Sequence, residues 1–128
     1  LDRVHRARAR HVLTENQRTL SAVEALESGN LDALGRLMAG SHRSLRDDFE
    51  VTVPPIDALV EIIGSVIAGE GGVRMTGGGF GGCVVALVPR DAVGEVREAV
   101  AKHYPERSGR EAETFVTSAS DGVRVDRL

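Results

Sequence analysis

The sequence has one cysteine, one lysine, four aromatic residues with no tryptophan among them, and no apolar run longer than residues 83–88. Each scarcity excludes something. A lone Cys83 rules out an internal disulfide and any multi-cysteine metal site, and it points to a reducing compartment, most simply the cytoplasm. The apolar run is far below the roughly 20 residues that span a bilayer, and the N-terminal stretch is charged where a signal peptide would be hydrophobic. Neither a membrane span nor a targeting segment is therefore expected. A net charge of -3 with few aromatic rings lacks the basic, stacking surface of a nucleic-acid binder. The basic residues that do gather, Arg3, Arg6, Arg8 and Arg10 with His5 and His11, read as a solvated helix face. There is also no initiator methionine: Leu1 and Asp2 fall within a charged helical pattern, as they would in a piece of a longer chain.

What is present is an ordinary globular composition, 41% hydrophobic and 27% charged, over 128 residues. That suffices for one domain, 1–128, with a real core, and is too short for a two-lobed enzyme with its own cleft. Ala9, Val12, Leu20, Val23 and Leu26 share a helical face, Gly29 stops that helix, and Asn30 caps a second carrying Leu31, Leu34, Leu37, Met38 and Leu45. The two are expected to form an antiparallel pair. Residues 49–53 alternate as a short strand does, and Pro54 and Pro55 open a third helix with Ile56, Leu59, Val60, Ile63, Val66 and Ile67 inward. Strands are predicted at 73–76 and 83–88, the latter central and covered on both faces because it lacks polar alternation. Asp91 is expected to cap a fourth helix, and 115–117 and 123–125 to supply the remaining strands. The order fits an α+β fold, a small, mainly antiparallel sheet with helices packed on one face.

The informative stretch lies between the two predicted strands: Thr76, Gly77, Gly78, Gly79, Phe80, Gly81 and Gly82. Glycine costs extra backbone entropy on folding, so such a run is stable only where the chain needs positive φ or where another group must approach its backbone closely. Convergent peptide N–H groups without side chains suit an anion, and phosphate is the commonest. The alternative is a tight loop packed under its neighbours with no ligand. Gly77, Gly79 and Gly82 satisfy G-x-G-x-x-G, but a strand follows where a dinucleotide site needs a helix. With Val84 they also match the protein-kinase glycine loop, yet the only lysine is Lys102, on a helical surface, and no H-R-D or D-F-G occurs. The lack of a loop lysine equally removes a Walker-type site.

The string RMTGGGFGGC at 74–83 resembles the third conserved motif of galactokinases, sugar kinases of the GHMP superfamily. Phenylalanine among the glycines resembles galactokinases more than the mevalonate or homoserine kinases. Ser44-Leu45-Arg46-Asp47-Asp48-Phe49-Glu50-Val51-Thr52 is similar to the segment preceding that motif, and His11-Val12-Leu13-Thr14-Glu15-Asn16 to the start of the family's C-terminal helical region. The likeness runs over nearly the whole chain except 107–128. It implies a GHMP kinase C-terminal domain, a ferredoxin-like sandwich, from an enzyme that transfers the γ-phosphate of ATP, with Mg2+, to the C1 hydroxyl of galactose. In the family, the sugar-binding motif, the ATP phosphate loop and the catalytic aspartate and arginine lie in an N-terminal half without counterpart here. The resemblance therefore carries over no catalytic residue and no metal ligand. It implies a cofactor-facing wall at Thr76 to Gly82 in the cleft with the partner N-terminal domain, a fragment inactive alone, and self-association through the face that domain would cover. Two rivals stand beside it: a non-catalytic galactose and ATP sensor on the same fold, and an independent α+β anion-binding module.

Other polar groups read more plainly. Ser41, His42 and Asp47 invite a catalytic triad, but adjacent helical positions point about 100° apart, so Ser41 and His42 do not face each other. His11, Glu15 and Arg18 share a helix face and suit a surface hydrogen-bond network. Asp47 and Asp48 suit a helix end or a pairing with Arg46 rather than a metal, and Arg74 either pairs with a carboxylate or faces the cleft.

Overall fold

Asp2 opens the first helix by accepting a hydrogen bond from the His5 N–H (2.9 Å), and α1 then runs over Arg3–Glu27. The computed structural model describes residues 2–126, so Leu1 and residues 127–128 of the expected 1–128 unit lie outside it. Gly29 reverses the chain at φ 67°, and Asn30 caps α2, Leu31–Ser44, by accepting from the Ala33 N–H (3.0 Å). His11 near the start of α1 meets Ser44 at the end of α2, so the pair is antiparallel as the periodicity predicts.

The end of α2 departs from the expectation of a strand at 49–53. The helix loosens into a π-helical turn, Leu45–Phe49, and Glu50 takes up a left-handed conformation (φ 57°). The Val51 N–H closes on the Leu45 carbonyl (3.1 Å), so this backbone terminates a helix and is not available to a β ladder. Phe49 stacks on the buried His11 ring, with centroids 4.5 Å apart, and the Arg8 guanidinium carbon stands 6.0 Å from the centroid of the Phe49 ring. Pro54 and Pro55 then start α3, Pro54–Ile67, where their missing N–H groups leave no bond unmade.

The sheet is a two-stranded antiparallel hairpin: β1, Gly72–Thr76, pairs with β2, Cys83–Leu87, from Gly72 opposite Leu87 to Thr76 opposite Cys83. Val73 and Met75 point to the helices, together with their cross-strand partners Ala86 and Val84. Cys83 and Val85 point the other way and are exposed. β2 is thus neither central nor covered on both faces: no further strand pairs with it among the described residues, and its Cys83 and Val85 side is open to solvent. Residues 115–117 and 123–125 form no strands: Phe115 and Val123 are almost wholly exposed, so no burial offsets the entropy of ordering them. Asp91 also misses its expected role. It sits in a short 3-10 turn, Arg90–Ala92, and Ala92 is the uncapped N-cap of α4, Val93–Ser108.

The architecture is nonetheless the α+β arrangement expected, helices against one face of a small antiparallel sheet. Ile62, Ile63 and Ile67 of α3 pack with Val73, Val96, Val100 and Tyr104 to form the larger core. A smaller one, Leu45, Ile56 and Met75, lies directly beneath the turn between the strands, with Met75 at 0% exposure. No helix among the described residues is long and apolar enough to cross a membrane.

Candidate functional site

The segment between the strands is an open loop. Gly77, Gly79, Gly81 and Gly82 all have positive φ (88°, 86°, 132° and 91°), and Phe80 follows them into the left-handed region at 58°. Such a backbone is cheap for glycine and strained for anything else. Thr76, Gly77, Gly78, Phe80 and Gly82 are exposed, and Phe80 keeps 76% of its surface in solvent. The packed-under reading therefore fails: the loop stands clear of this chain's helices. Among the described residues only one of its peptide N–H groups is engaged, that of Phe80, which donates to the Val51 carbonyl (2.7 Å). Between Gly77 and Gly82 the other N–H groups have no protein acceptor among the described residues, which leaves them for an anion or a second protein surface.

The loop rests on the segment after the π-helical turn. Gly79 lies so close to Val51 that an added Cβ would stand 2.5 Å from its carbonyl oxygen and 2.8 Å from its Cβ. Beneath, His42 of α2 is 4% exposed. Its Nδ1 accepts the Met75 N–H (3.1 Å), which requires the proton on Nε2, and Nε2 donates to Asp57 Oδ1 (3.0 Å). Asp57 Oδ2 in turn accepts from the Thr52 hydroxyl (3.1 Å). Burial pushes the His42 pKa down, Asp57 pulls it up by hydrogen bond and charge, and Arg46 and Arg74 oppose Asp57; the net direction is below the ordinary value of 6.5.

Between the lowered folded value and 6.5 the unfolded chain binds the His42 proton and the folded chain does not. His42 thus stabilises the fold fully above about pH 6.5, and that contribution is lost as the pH falls through the folded value. Melting temperatures measured from pH 7.5 down to 5 should fall, and the slope should shrink in His42→Gln.

A second network joins α1 to α2 and β1. Glu15 accepts from the Ser41 hydroxyl and from Arg18 Nε (2.8 Å), and Arg74 Nη1 stands 4.0 Å away. Burial raises the Glu15 pKa, but the Ser41 and Arg18 hydrogen bonds and the charges of Arg18 and Arg74 outweigh it, leaving the carboxyl below its ordinary value. Arg74 is turned inward, its Nε donating to the Met75 carbonyl (2.9 Å), which favours the carboxylate-pairing alternative. His11, Ser44 and Asp48 form a third chain, with His11 Nδ1 3.0 Å from Ser44 Oγ and Ser44 Oγ 3.2 Å from Asp48 Oδ2.

The sequence-predicted groups divide accordingly. Ser41, His42 and Asp47 do not meet: they bond to Glu15, Asp57 and Arg46 respectively. Arg46 holds the Asp47 carboxyl below its ordinary value. Glu15 and Arg18 do pair, but His11 and Glu15 each reach across to α2, so the expected surface network is half interior. Among the described residues no three His, Cys, Asp or Glu side chains are grouped to hold a metal ion. What sequence reasoning missed is the link from His42 to Asp57 and Met75, since separations of 15 and 33 residues leave no periodic trace.

Residues 22–106 match the family described as GHMP kinases C terminal. The fold also resembles the crystal structure of Lactococcus lactis galactokinase complexed with galactose, with 44% sequence identity and a TM-score of 0.80 over 86% of this chain. The match covers 28% of that enzyme, so the chain spans little more than a quarter of the relative's length.

Proposed function

The chain belongs to the GHMP kinases by virtue of their C-terminal domain, and on that premise we propose that it is the C-terminal part of a galactokinase. The parent enzyme transfers the γ-phosphate of ATP to the C1 hydroxyl of galactose. The observation that carries this reading is the 44% identity to a galactokinase across 86% of the chain. The open loop Thr76 to Gly82 supports it, since a side-chain-free wall suits close approach of a nucleotide-bearing lobe. The loop's role is positioning. Phosphoryl transfer depends chiefly on placing the reacting groups and on stabilising charge, so backbone that shapes one wall of a cleft contributes without touching the transferred group chemically.

ATP supplies the phosphoryl group, and Mg2+ neutralises charge on its phosphates. This chain offers no cluster of metal ligands among the described residues, so we assign Mg2+ to the phosphates and the N-terminal lobe. The setting is cytoplasmic, consistent with the free thiol of Cys83.

The test is a coupled assay with galactose and MgATP. The 128-residue chain alone should show no turnover above background, whereas the chain joined to its N-terminal lobe should phosphorylate galactose. Turnover by the isolated chain, or none by the joined protein, would overturn the assignment.

The N-terminal lobe is also the proposed partner of the surface this chain leaves bare. Val12, Leu13, Leu20 and Val23 lie along the side of α1 turned away from α2, and each is about half exposed or more. An apolar stripe of this kind favours association. Light scattering on the isolated chain should show mass rising with concentration, and a strict monomer at all concentrations would count against it.

A further inference from the structure

The β ladder closes the glycine loop at Thr76 and Cys83, and two further attachments hold it to the rest of the chain, one at its entry and one at its apex. At the entry, the Met75 N–H of β1 donates to His42 Nδ1 (3.1 Å) one residue before Thr76. At the apex, the Phe80 N–H donates to the Val51 carbonyl (2.7 Å). These attachments belong to one closed circuit. Val51 is followed by Thr52, whose hydroxyl donates to Asp57 Oδ2 (3.1 Å), and Asp57 Oδ1 accepts from His42 Nε2 (3.0 Å), which returns to Met75. We propose that His42, Asp57 and Thr52 are positioning residues for the glycine loop, a side-chain relay that fixes its entry and its apex relative to each other.

The chemistry of the circuit demands these residue types. The link at position 42 must accept from a peptide N–H at one atom and donate to a carboxylate from another. A neutral imidazole with its proton on Nε2 does both, in one rigid ring. Burial, which disfavours the imidazolium, keeps it in that form. Asp57 serves as the two-oxygen junction, and its place near the start of α3 anchors the circuit to a helix whose buried face forms both cores. The relay has a reason to exist because the loop cannot order its own apex: four of its glycines and Phe80 have positive φ, and between Gly77 and Gly82 only the Phe80 N–H has a protein acceptor among the described residues. Glycine-rich backbone with so few attachments is mobile unless its ends are set. The consequence for nucleotide placement rests on the galactokinase reading above; the mechanical claim does not.

The test separates the two. In the 15N-labelled 128-residue chain, amide exchange is measured at Met75 and Phe80 and relaxation at the loop glycines, for Thr52→Val, Thr52→Ser, Asp57→Asn and Asp57→Ala. Thr52→Val keeps the shape and removes the hydroxyl, so Phe80 exchange should accelerate about tenfold, the scale of one lost hydrogen bond. Thr52→Ser should restore wild-type exchange. Asp57→Asn retains one oxygen for His42 and turns its NH2 to the Thr52 hydroxyl, which can accept in place of donating, so Met75 and Phe80 exchange should stay near wild type, while Asp57→Ala should release Met75 and Phe80 together. The His42 ring 15N shifts should report the Nε2–H form in wild type. Nδ1–H on the ring, or Phe80 and Met75 exchange within about twofold of wild type in both Thr52→Val and Asp57→Ala, would overturn the relay. In the joined kinase, Thr52→Val should raise KM for ATP more than it lowers kcat, and Thr52→Ser should reverse the change. Absence of any kinase activity in the wild-type joined protein would sink the functional reading and leave the exchange result standing.

Discussion

Replacing Gly35 with alanine should destabilise the chain by about 3 kcal/mol or more, although alanine is the better helix former by about 1 kcal/mol. Gly35 lies buried in α2, where the helix crosses the start of β1. An added Cβ would overlap the Gly71 carbonyl oxygen and stand 2.7 Å from its carbon, so backbone meets backbone and no side chain can rotate away. The facing position is equally closed: a Cβ on Gly72 would stand 2.8 Å from Gly35 Cα and from Met38 Sδ. Relief would require α2 to lift off the sheet and carry His42 away from Met75. Gly40→Ala, five residues along the same helix, is the internal control. Its new Cβ meets nothing closer than the Arg18 Cδ at 3.6 Å, so propensity alone should decide and stabilise by about 0.5–1 kcal/mol. Opposite signs in paired melting curves are the expected result, with a loss on the order of 10 °C for Gly35→Ala. Equal signs would mean that α2 does not cross β1 at this distance.

That crossing could not be read from the sequence, whereas most of the elements it joins could. Helical spacing, a glycine stop after α1, the Asn30 cap and the Pro54-Pro55 start each have a local cause, and each element appears where its cause placed it. The misreadings arise where tertiary context overrides a local pattern. Residues 49–53 alternate like a strand, but Glu50 in the left-handed region and the bond from Val51 to Leu45 turn that backbone into a helix end. The apolar run of β2 implies two covered faces, yet Cys83 and Val85 face outward from a hairpin with only one face packed.

The candidate site divides along the same line. Glycine density alone located the loop, because backbone freedom is written directly in composition. Helical geometry separated Ser41 from His42, since neighbours on a helix diverge, and in the structure they bond to Glu15 and Asp57. What holds the loop was invisible. Met75 looks like any core methionine, and nothing local marks its N–H as one that escapes the β ladder to reach a histidine on α2.

The loop supplies the other large effect. In the galactokinase proposed here, Gly79→Ala should lower kcat/KM by about 100-fold, the scale associated with misplacing a catalytic wall by about 1 Å. Two penalties coincide at this residue. Its φ of 86° costs any L side chain about 1–2 kcal/mol, and the new Cβ collides with Val51, the residue whose carbonyl holds Phe80. The loop must therefore rise off its support, and both the apex and the N–H groups beside it move. Gly78→Ala separates displacement from simple crowding. Gly78 is not in the positive-φ region, and a Cβ there meets nothing within 4 Å, so the isolated chain should melt within about 1 °C of wild type. If the loop faces the nucleotide-bearing lobe, even that methyl group intrudes, and activity should fall by about tenfold while the fold is untouched. Steady-state kinetics of the two variants in the joined enzyme, set beside their melting temperatures as isolated chains, give four numbers. Wild-type kinetics for both variants would remove the loop from the cleft. A Gly78→Ala enzyme impaired at unchanged stability would place it there, because nothing in this chain is near enough to Gly78 for the methyl group to disturb.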